Sequence, residues 1–210
     1  MAVLRDYTLT QFDFLRHGQC HGGDIFRGTT DVLLTAEGEA AMAASCEDVQ
    51  EEWTRVISSP MQRCCVFAEE YARQKAIPFT TDPRLREICF GVWEGRERTA
   101  IWEEQPQQIQ AWLENPADNT PPGGEPLADV AARLTEFFEQ AREQYRNEKL
   151  LVVAHGGVMR VMLSVLLDVP LTRTSHFDVP FASMSRIRVY EKGDSLLIKL
   201  AAHNFAGRRF

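Results

Sequence analysis

No stretch of this sequence approaches the roughly 18 apolar residues that a membrane-spanning helix needs, so no membrane partner is expected. There is no internal repeat and no linker, which excludes solenoids and tandem arrays. There is no Cys-x-x-Cys pair, and the histidines lack ligand spacing, so no metal and no cofactor are expected. Five cysteines, an odd number without regular spacing, read as reduced thiols and not as a disulfide framework. Basic charge is also short: 30 acidic against 23 basic residues give a formal charge of −7. That argues against nucleic acid as a partner, which needs a basic face. It leaves room for a small anion, because a local cluster can oppose the global sign. The opening "MAVLRDYTLTQ" has no apolar core followed by small residues, so no signal peptide is expected and the expected location is cytoplasmic.

What is present is a 210-residue chain, 44% hydrophobic, long enough for one substantial core. Its patterns alternate. "QFDFLR" reads as a first strand. "TAEGEAAMAASCEDVQEEW" reads as a helix with Thr35 as N-cap. "RVISS" is a second strand, and Pro60 is expected to open the helix "MQRCCVFAEEYARQK". "IPFTTD" is a weaker strand. "LADVAARLTEFFEQAREQYRNE" is amphipathic, with Leu127, Val130, Leu134, Phe137, Phe138 and Ala141 on one face. "KLLVVAH" is a continuous apolar run of the buried parallel type, and "GGVMRVMLSVLLDV" is the helix after it. "SRIRVYEKGDSLLIKLAAH" reads as two strands around a Gly-Asp turn. The fold class is therefore α/β, a three-layer α/β/α sandwich with a mostly parallel central sheet. Phe90 to Gly124 breaks the alternation, holds three of the four tryptophans and ends in a proline-glycine stretch. It reads as a small, mainly helical cap inserted into a single domain spanning residues 1–210.

Ligands of open α/β sheets sit beyond the carboxyl ends of the strands. "FDFLRHGQC" ends its strand in Arg16 and His17, and "KLLVVAHGG" ends its own in His155, Gly156 and Gly157. "VISSPMQRC" carries Arg63 into the first turn of the next helix. Each signal alone has an ordinary explanation: a hydrogen-bonded histidine, a turn glycine, a solvated arginine. Falling at equivalent positions of one sheet, they describe a phosphate pocket with histidines in it. Amides at a helix N-terminus and arginine forks both suit phosphate oxygens.

"LRHGQ", "FRGTTDVLLTAEG", "SSPMQRC", "LREICFGVWEG" and "VVAHGG", in this order, resemble the histidine phosphatase superfamily, the phosphoglycerate-mutase-like fold, over roughly residues 11 to 205. The resemblance implies His17 as nucleophile, forming a phosphohistidine. It implies Arg16, Arg63, His155 and Gly156 around the phosphoryl oxygens, with His155 also catalytic, and Glu87 as the general acid with a raised pKa. Glu94 would be structural. Gly28, Thr29 and Trp93 are candidates for the substrate pocket, and Cys20 for its rim or packing.

Departures from the mutase pattern sharpen the expectation. Gln19, Cys20 and Gly157 stand where mutases carry Glu, Ser and Asn, and the chain stops soon after "AAHNF" with no long tail to shield a phosphoenzyme. A mutase must exclude water and a phosphatase must admit it, so hydrolysis of a small phosphomonoester is expected. "AWLENPADNTPPGGEPLADVAARL" and "SHFDVPFASMSRIRVY" resemble segments of α-ribazole-5′-phosphate phosphatases of cobalamin biosynthesis. Trp93, Trp102 and Trp112 would then offer flat surface to a benzimidazole, against the plainer reading that at least two of them pack the cap. The alternatives are a broad phosphatase on sugar phosphates or nucleotides, a phosphoglycerate-mutase-type phosphotransferase, and an inactive phosphate-binding module. The oligomeric state is left open, a homodimer included.

Overall fold

Both faces of the central strands are apolar, and the fold follows from covering them. The computed structural model describes residues 6–49 and 52–205. Six strands, β1 Thr8–Arg16, β2 Arg55–Ser58, β3 Phe79–Thr81, β4 Lys149–Ala154, β5 Met184–Lys192 and β6 Ser195–His203, form one sheet in the order β3-β2-β4-β1-β5-β6. The first four in that order run parallel, and β5 and β6 add an antiparallel edge. Six helices accompany them: α1 Ala36–Asp48, α2 Gln62–Lys75, α3 Arg98–Glu104, α4 Pro106–Glu114, α5 Leu127–Gln144 and α6 Gly156–Leu166. Phe12 and Phe14 of β1, with Leu150 and Val152 of β4, pack on one face against α5 and α6. Their alternates Leu15, Leu151 and Val153 pack on the other against α1 and α2. That period-2 split of continuous apolar strands makes the three-layer sandwich.

The expected insertion is present as a 3₁₀ turn, Gly91–Trp93, followed by α3 and α4. Its interior is continuous with the main core: Phe90, Trp93, Ile101 and Ile109 share the cluster of α5 and α6. The three helix ends named here differ from expectation for local reasons. Met61 is extended (φ −70°, ψ 138°), so α2 starts at Gln62 and Pro60 lies outside it. The Asp31 carboxylate caps that start from a distant loop, accepting from the Gln62 amide at 3.0 Å. α1, correctly capped by Thr35 through the Gly38 amide, ends at Asp48 because Val49 is extended. Its expected continuation through Gln50 and Glu51 lies outside the described residues, as does the terminal "AGRRF". α6 stops at Leu166, followed by Asp168 in the left-handed region (φ 56°).

The apolar reading of β1 passed over Asp13, which is completely buried. Arg186 of β5 meets both of its oxygens at 2.8 Å, and the Trp53 indole donates to Oδ2 at 2.8 Å. Removing one member of a buried pair strands the other charge. Asp13→Ala is expected to lower the unfolding free energy by about 3–5 kcal/mol in urea titration. A loss below about 1 kcal/mol would mean that Arg186 finds water instead.

Candidate active site

The ladder itself assembles the site. Pairing of β1 with β4 sets Arg16 beside Ala154, and the His17 amide donates to the Ala154 carbonyl at 3.0 Å. Pairing of β4 with β2 sets Ser58 beside Val153. His17, His155 and Ser59 therefore follow one another across three adjacent strand ends, with the two imidazole centroids 5.2 Å apart.

His17 is almost fully buried, and its Nδ1 lies 2.8 Å from the Gly18 carbonyl. A carbonyl only accepts, so Nδ1 carries the proton and Nε2 keeps its lone pair. Burial first, then the Arg63 and Arg16 charges, push its pKa down to about 3. The ring is therefore neutral at physiological pH, as a nucleophile must be. Close backbone packing fixes the loop: a Cβ on Gly18 would lie 2.0 Å from the Gly38 carbonyl oxygen in the first turn of α1. Cys20 sits beside the ring, its Sγ 3.5 Å from Nδ1 and 3.5 Å from the same Gly18 carbonyl. Burial raises its pKa, so it is a neutral neighbour.

Arg63 has no exposed surface. Nη1 donates to the Thr30 carbonyl at 2.9 Å, Nη2 to those of Gly28 at 2.8 Å and Arg27 at 3.2 Å, and Nε to His155 Nδ1 at 3.1 Å. Four of its five N–H groups are thus engaged, and Nη1 also lies 3.8 Å from Asp31 Oδ1 as an ion pair. Arg63 was expected on the phosphoryl oxygens; it lies behind the cavity wall and not on it, because the loop carbonyls and His155 enclose it. An arginine always donates, so His155 accepts at Nδ1 and carries its proton on Nε2, which donates to Ser59 Oγ at 2.7 Å. Burial, then the Arg63 charge, hold the His155 pKa well below its ordinary value. His155 was expected on the phosphoryl oxygens. It is fully buried with both nitrogens engaged, so it lies behind the pocket and steadies Arg63.

The 27–30 loop that supplies those carbonyls is held by Glu94, as the structural reading anticipated. Glu94 accepts from the amides of Gly28, Thr29, Thr30 and Phe90 and from the Thr30 hydroxyl. Burial alone would raise its pKa, but these bonds, the Phe90 amide and Thr30 hydroxyl foremost, hold it below the ordinary value. Gly28 and Thr29 are accordingly scaffold and not cavity wall.

Glu87 is buried, with its oxygens on three backbone amides: Oε1 takes Ile88 at 3.0 Å and Val158 at 3.1 Å, and Oε2 takes Gly157 at 3.1 Å. Two of these are opening amides of α6, which the sequence pattern had offered to phosphate. Gly157 makes the approach possible, because a Cβ there would lie 2.6 Å from Glu87 Oε1. Gly156 lines the cavity beneath Arg16, whose Nε would be 3.0 Å from a Cβ at that position.

Above this floor opens a cavity of about 720 Å³. Arg16, His17, Glu87, Gly156 and Gly157 line its inner end, and Ile88, Phe90, Trp112, Leu113 and Leu127 give it an apolar side. Trp93 is not part of that side. It is fully buried, donates to Gln105 at 2.8 Å and packs against Phe26 and Trp112. Trp102 is on the surface, so of the three cap tryptophans only Trp112 reaches the cavity. Among the lining residues missed are the charged Asp24, Arg27, Arg98 and Arg160 and the aromatic Phe181. Arg160 was findable, because it lies one helical turn beyond Gly156. Arg27 lies within a recognised motif, and Phe181 carries no sequence signal.

Comparison with known proteins identifies the family and the fold. Residues 12–199 match the family model of the histidine phosphatase superfamily (branch 1). Phosphoserine phosphatase 1 of Hydrogenobacter thermophilus is 30% identical over 186 residues, 87% of this chain and 88% of that protein. The native structure of mycobacterial glucosyl-3-phosphoglycerate phosphatase superposes with a TM-score of 0.82 at 26% identity, covering 93% of this chain and 99% of that one. The α-ribazole phosphatase of Shigella flexneri shares the fold, with a TM-score of 0.78 at 23% identity over 92% and 96% of the two chains.

Two outcomes follow from the geometry. In histidine-selective NMR, the His17 ring is expected to stay neutral from pH 8 down to pH 5; a transition near the ordinary value of about 6.5 would contradict the burial argument. Gly157→Ala is expected to dislodge Glu87 and cut kcat on the order of a hundredfold, the scale of losing an aligned catalytic group. An unchanged kcat would remove Glu87 from the chemistry.

Proposed function

The chain belongs to the histidine phosphatase superfamily, branch 1, and from that premise we propose that it hydrolyses a small phosphomonoester through a phosphohistidine on His17. The observation that carries this reading is the His17 tautomer: Nδ1–H on the Gly18 carbonyl, Nε2 bare at the floor of a cationic cavity. In the first step the Nε2 lone pair attacks phosphorus in line. The ester oxygen departs with the bond pair and takes the proton of the Glu87 carboxyl. In the second step Glu87, now a carboxylate, takes a proton from water as its oxygen attacks phosphorus. The P–N bond breaks, its electron pair returns to Nε2, and inorganic phosphate leaves. Arg16 meets the equatorial oxygens, where charge builds in each transition state, and Arg63 adds its positive charge from behind the pocket floor.

For the substrate we favour α-ribazole 5′-phosphate, whose leaving group is α-ribazole, with the protein acting in the cytoplasm. One feature supports a flat aglycone. The apolar side formed by Phe90, Trp112 and Leu113 has no use for phosphoserine but fits a benzimidazole.

The test compares phosphate release from α-ribazole 5′-phosphate, ribose 5-phosphate, phosphoserine and 3-phosphoglycerate, each with a His17→Ala control. Burying about 100 Å² of ring at about 25 cal/mol/Å² is worth about 2.5 kcal/mol, roughly 70-fold in kcat/KM. α-Ribazole 5′-phosphate is therefore expected to exceed ribose 5-phosphate by at least about tenfold. Trp112→Ala should erase that advantage while leaving ribose 5-phosphate unchanged. Equal, His17-dependent rates on all four would keep the mechanism and reject the aglycone.

A further inference from the structure

Phe181 is an aromatic ring that packing does not explain. It is 45% exposed, yet the turn that carries it is pinned at every step. The Ser183 amide donates to the Pro180 carbonyl at 3.1 Å and closes the turn. Ala182 takes a left-handed conformation (φ 56°), which residues with a side chain avoid. Its amide donates to the His17 carbonyl at 3.3 Å, and its carbonyl accepts from Ser45 Oγ at 2.7 Å. The Arg16 amide donates to the Ser183 carbonyl at 3.0 Å. Such over-determined, strained turns concentrate at functional sites.

The ring lies against the guanidinium end of Arg16. The guanidinium carbon is 4.0 Å from the ring centroid, a cation–π contact, and the His17 ring centroid is 5.7 Å away. The same segment takes one corner of the guanidinium, because Arg16 Nη1 donates to the Val179 carbonyl at 2.6 Å. The opposite edge is left over. Nε is buried and has no partner among the described residues. The Nε–Nη2 edge is one of the forks with which an arginine grips two oxygens of a phosphoryl group.

We propose that Phe181 is a positioning residue, whose ring fixes the plane of Arg16 so that its Nε–Nη2 edge meets the phosphoryl oxygens. This rests on the phosphatase reading above and adds a residue that the motifs do not contain. Its role is to orient the oxyanion contact, not to form a wall for the leaving group.

A double-mutant cycle tests it, read as the inhibition constant of orthovanadate and as kcat/KM on p-nitrophenyl phosphate. Phe181→Leu, of similar bulk without a π face, is expected to weaken orthovanadate about tenfold, and Phe181→Tyr to restore it. In an Arg16→Ala background Phe181→Leu should change vanadate affinity less than twofold. Thermal unfolding of each variant separates loss of fold from loss of orientation. Equal losses in both backgrounds, or a leucine variant as good as wild type, would overturn the positioning role while the phosphatase reading stands. Wild-type protein that neither binds orthovanadate nor releases phosphate would overturn both.

Discussion

The site is organised around a guanidinium that never meets solvent. Arg63 is a full charge with no exposed surface, and such a charge is tolerated only when its donors are matched. Three carbonyls of the 27–30 loop and one imidazole nitrogen do the matching. Each match constrains something else. The carbonyls require the loop to fold around the arginine, and Glu94 holds that loop by five donors. The imidazole nitrogen fixes the tautomer of His155, which ties it to Ser59 on the neighbouring strand end. A substitution at Glu94, far from phosphorus, therefore reaches the floor of the pocket through hydrogen bonds alone.

The same buried charge keeps the His17 imidazole neutral. Burial already disfavours imidazolium at His17, and Arg63 and Arg16 disfavour it further. The protein thus collects positive charge for the phosphoryl group and thereby excludes a proton from the attacking nitrogen. The Gly18 carbonyl completes the arrangement by directing the remaining proton to Nδ1. In the proposed mechanism Glu87, anchored on amides of the α6 start, carries the proton. The proposed nucleophile His17, the buried charge of Arg63 and the proposed acid Glu87 occupy three different backbone settings, a strand end, a helix first turn and a loop before a helix.

Much of this was legible in the sequence because parallel strands announce themselves. A continuous apolar run stopping at Arg16-His17, and another stopping at His155-Gly156, locate the carboxyl edge of the sheet. Arg16, His17, Arg63, Glu87 and His155 do converge there. What the residues could not disclose was the order of layers. His155 looks like a ligand-facing histidine until Arg63 and Ser59 are seen to occupy both its nitrogens. Trp93 looks like a pocket aromatic until α4 closes over it and leaves Trp112 on the cavity instead. Asp13 is hidden within an apolar strand, and its partner Arg186 is far away in sequence. Phe181 belongs to no periodic element, and its placement depends on one left-handed alanine.

The cavity above the floor sets what enters, but the floor sets what happens, and the central claim concerns the floor. The most direct measurement is a rapid quench into alkali, where phosphohistidine survives, after mixing the protein with ³²P-labelled p-nitrophenyl phosphate. The account predicts base-stable, acid-labile label on the protein within the first turnover, mapped by peptide mass spectrometry to His17 and lost in His17→Ala. Steady phosphate release with no protein-bound label, or label that persists in His17→Ala, would contradict it.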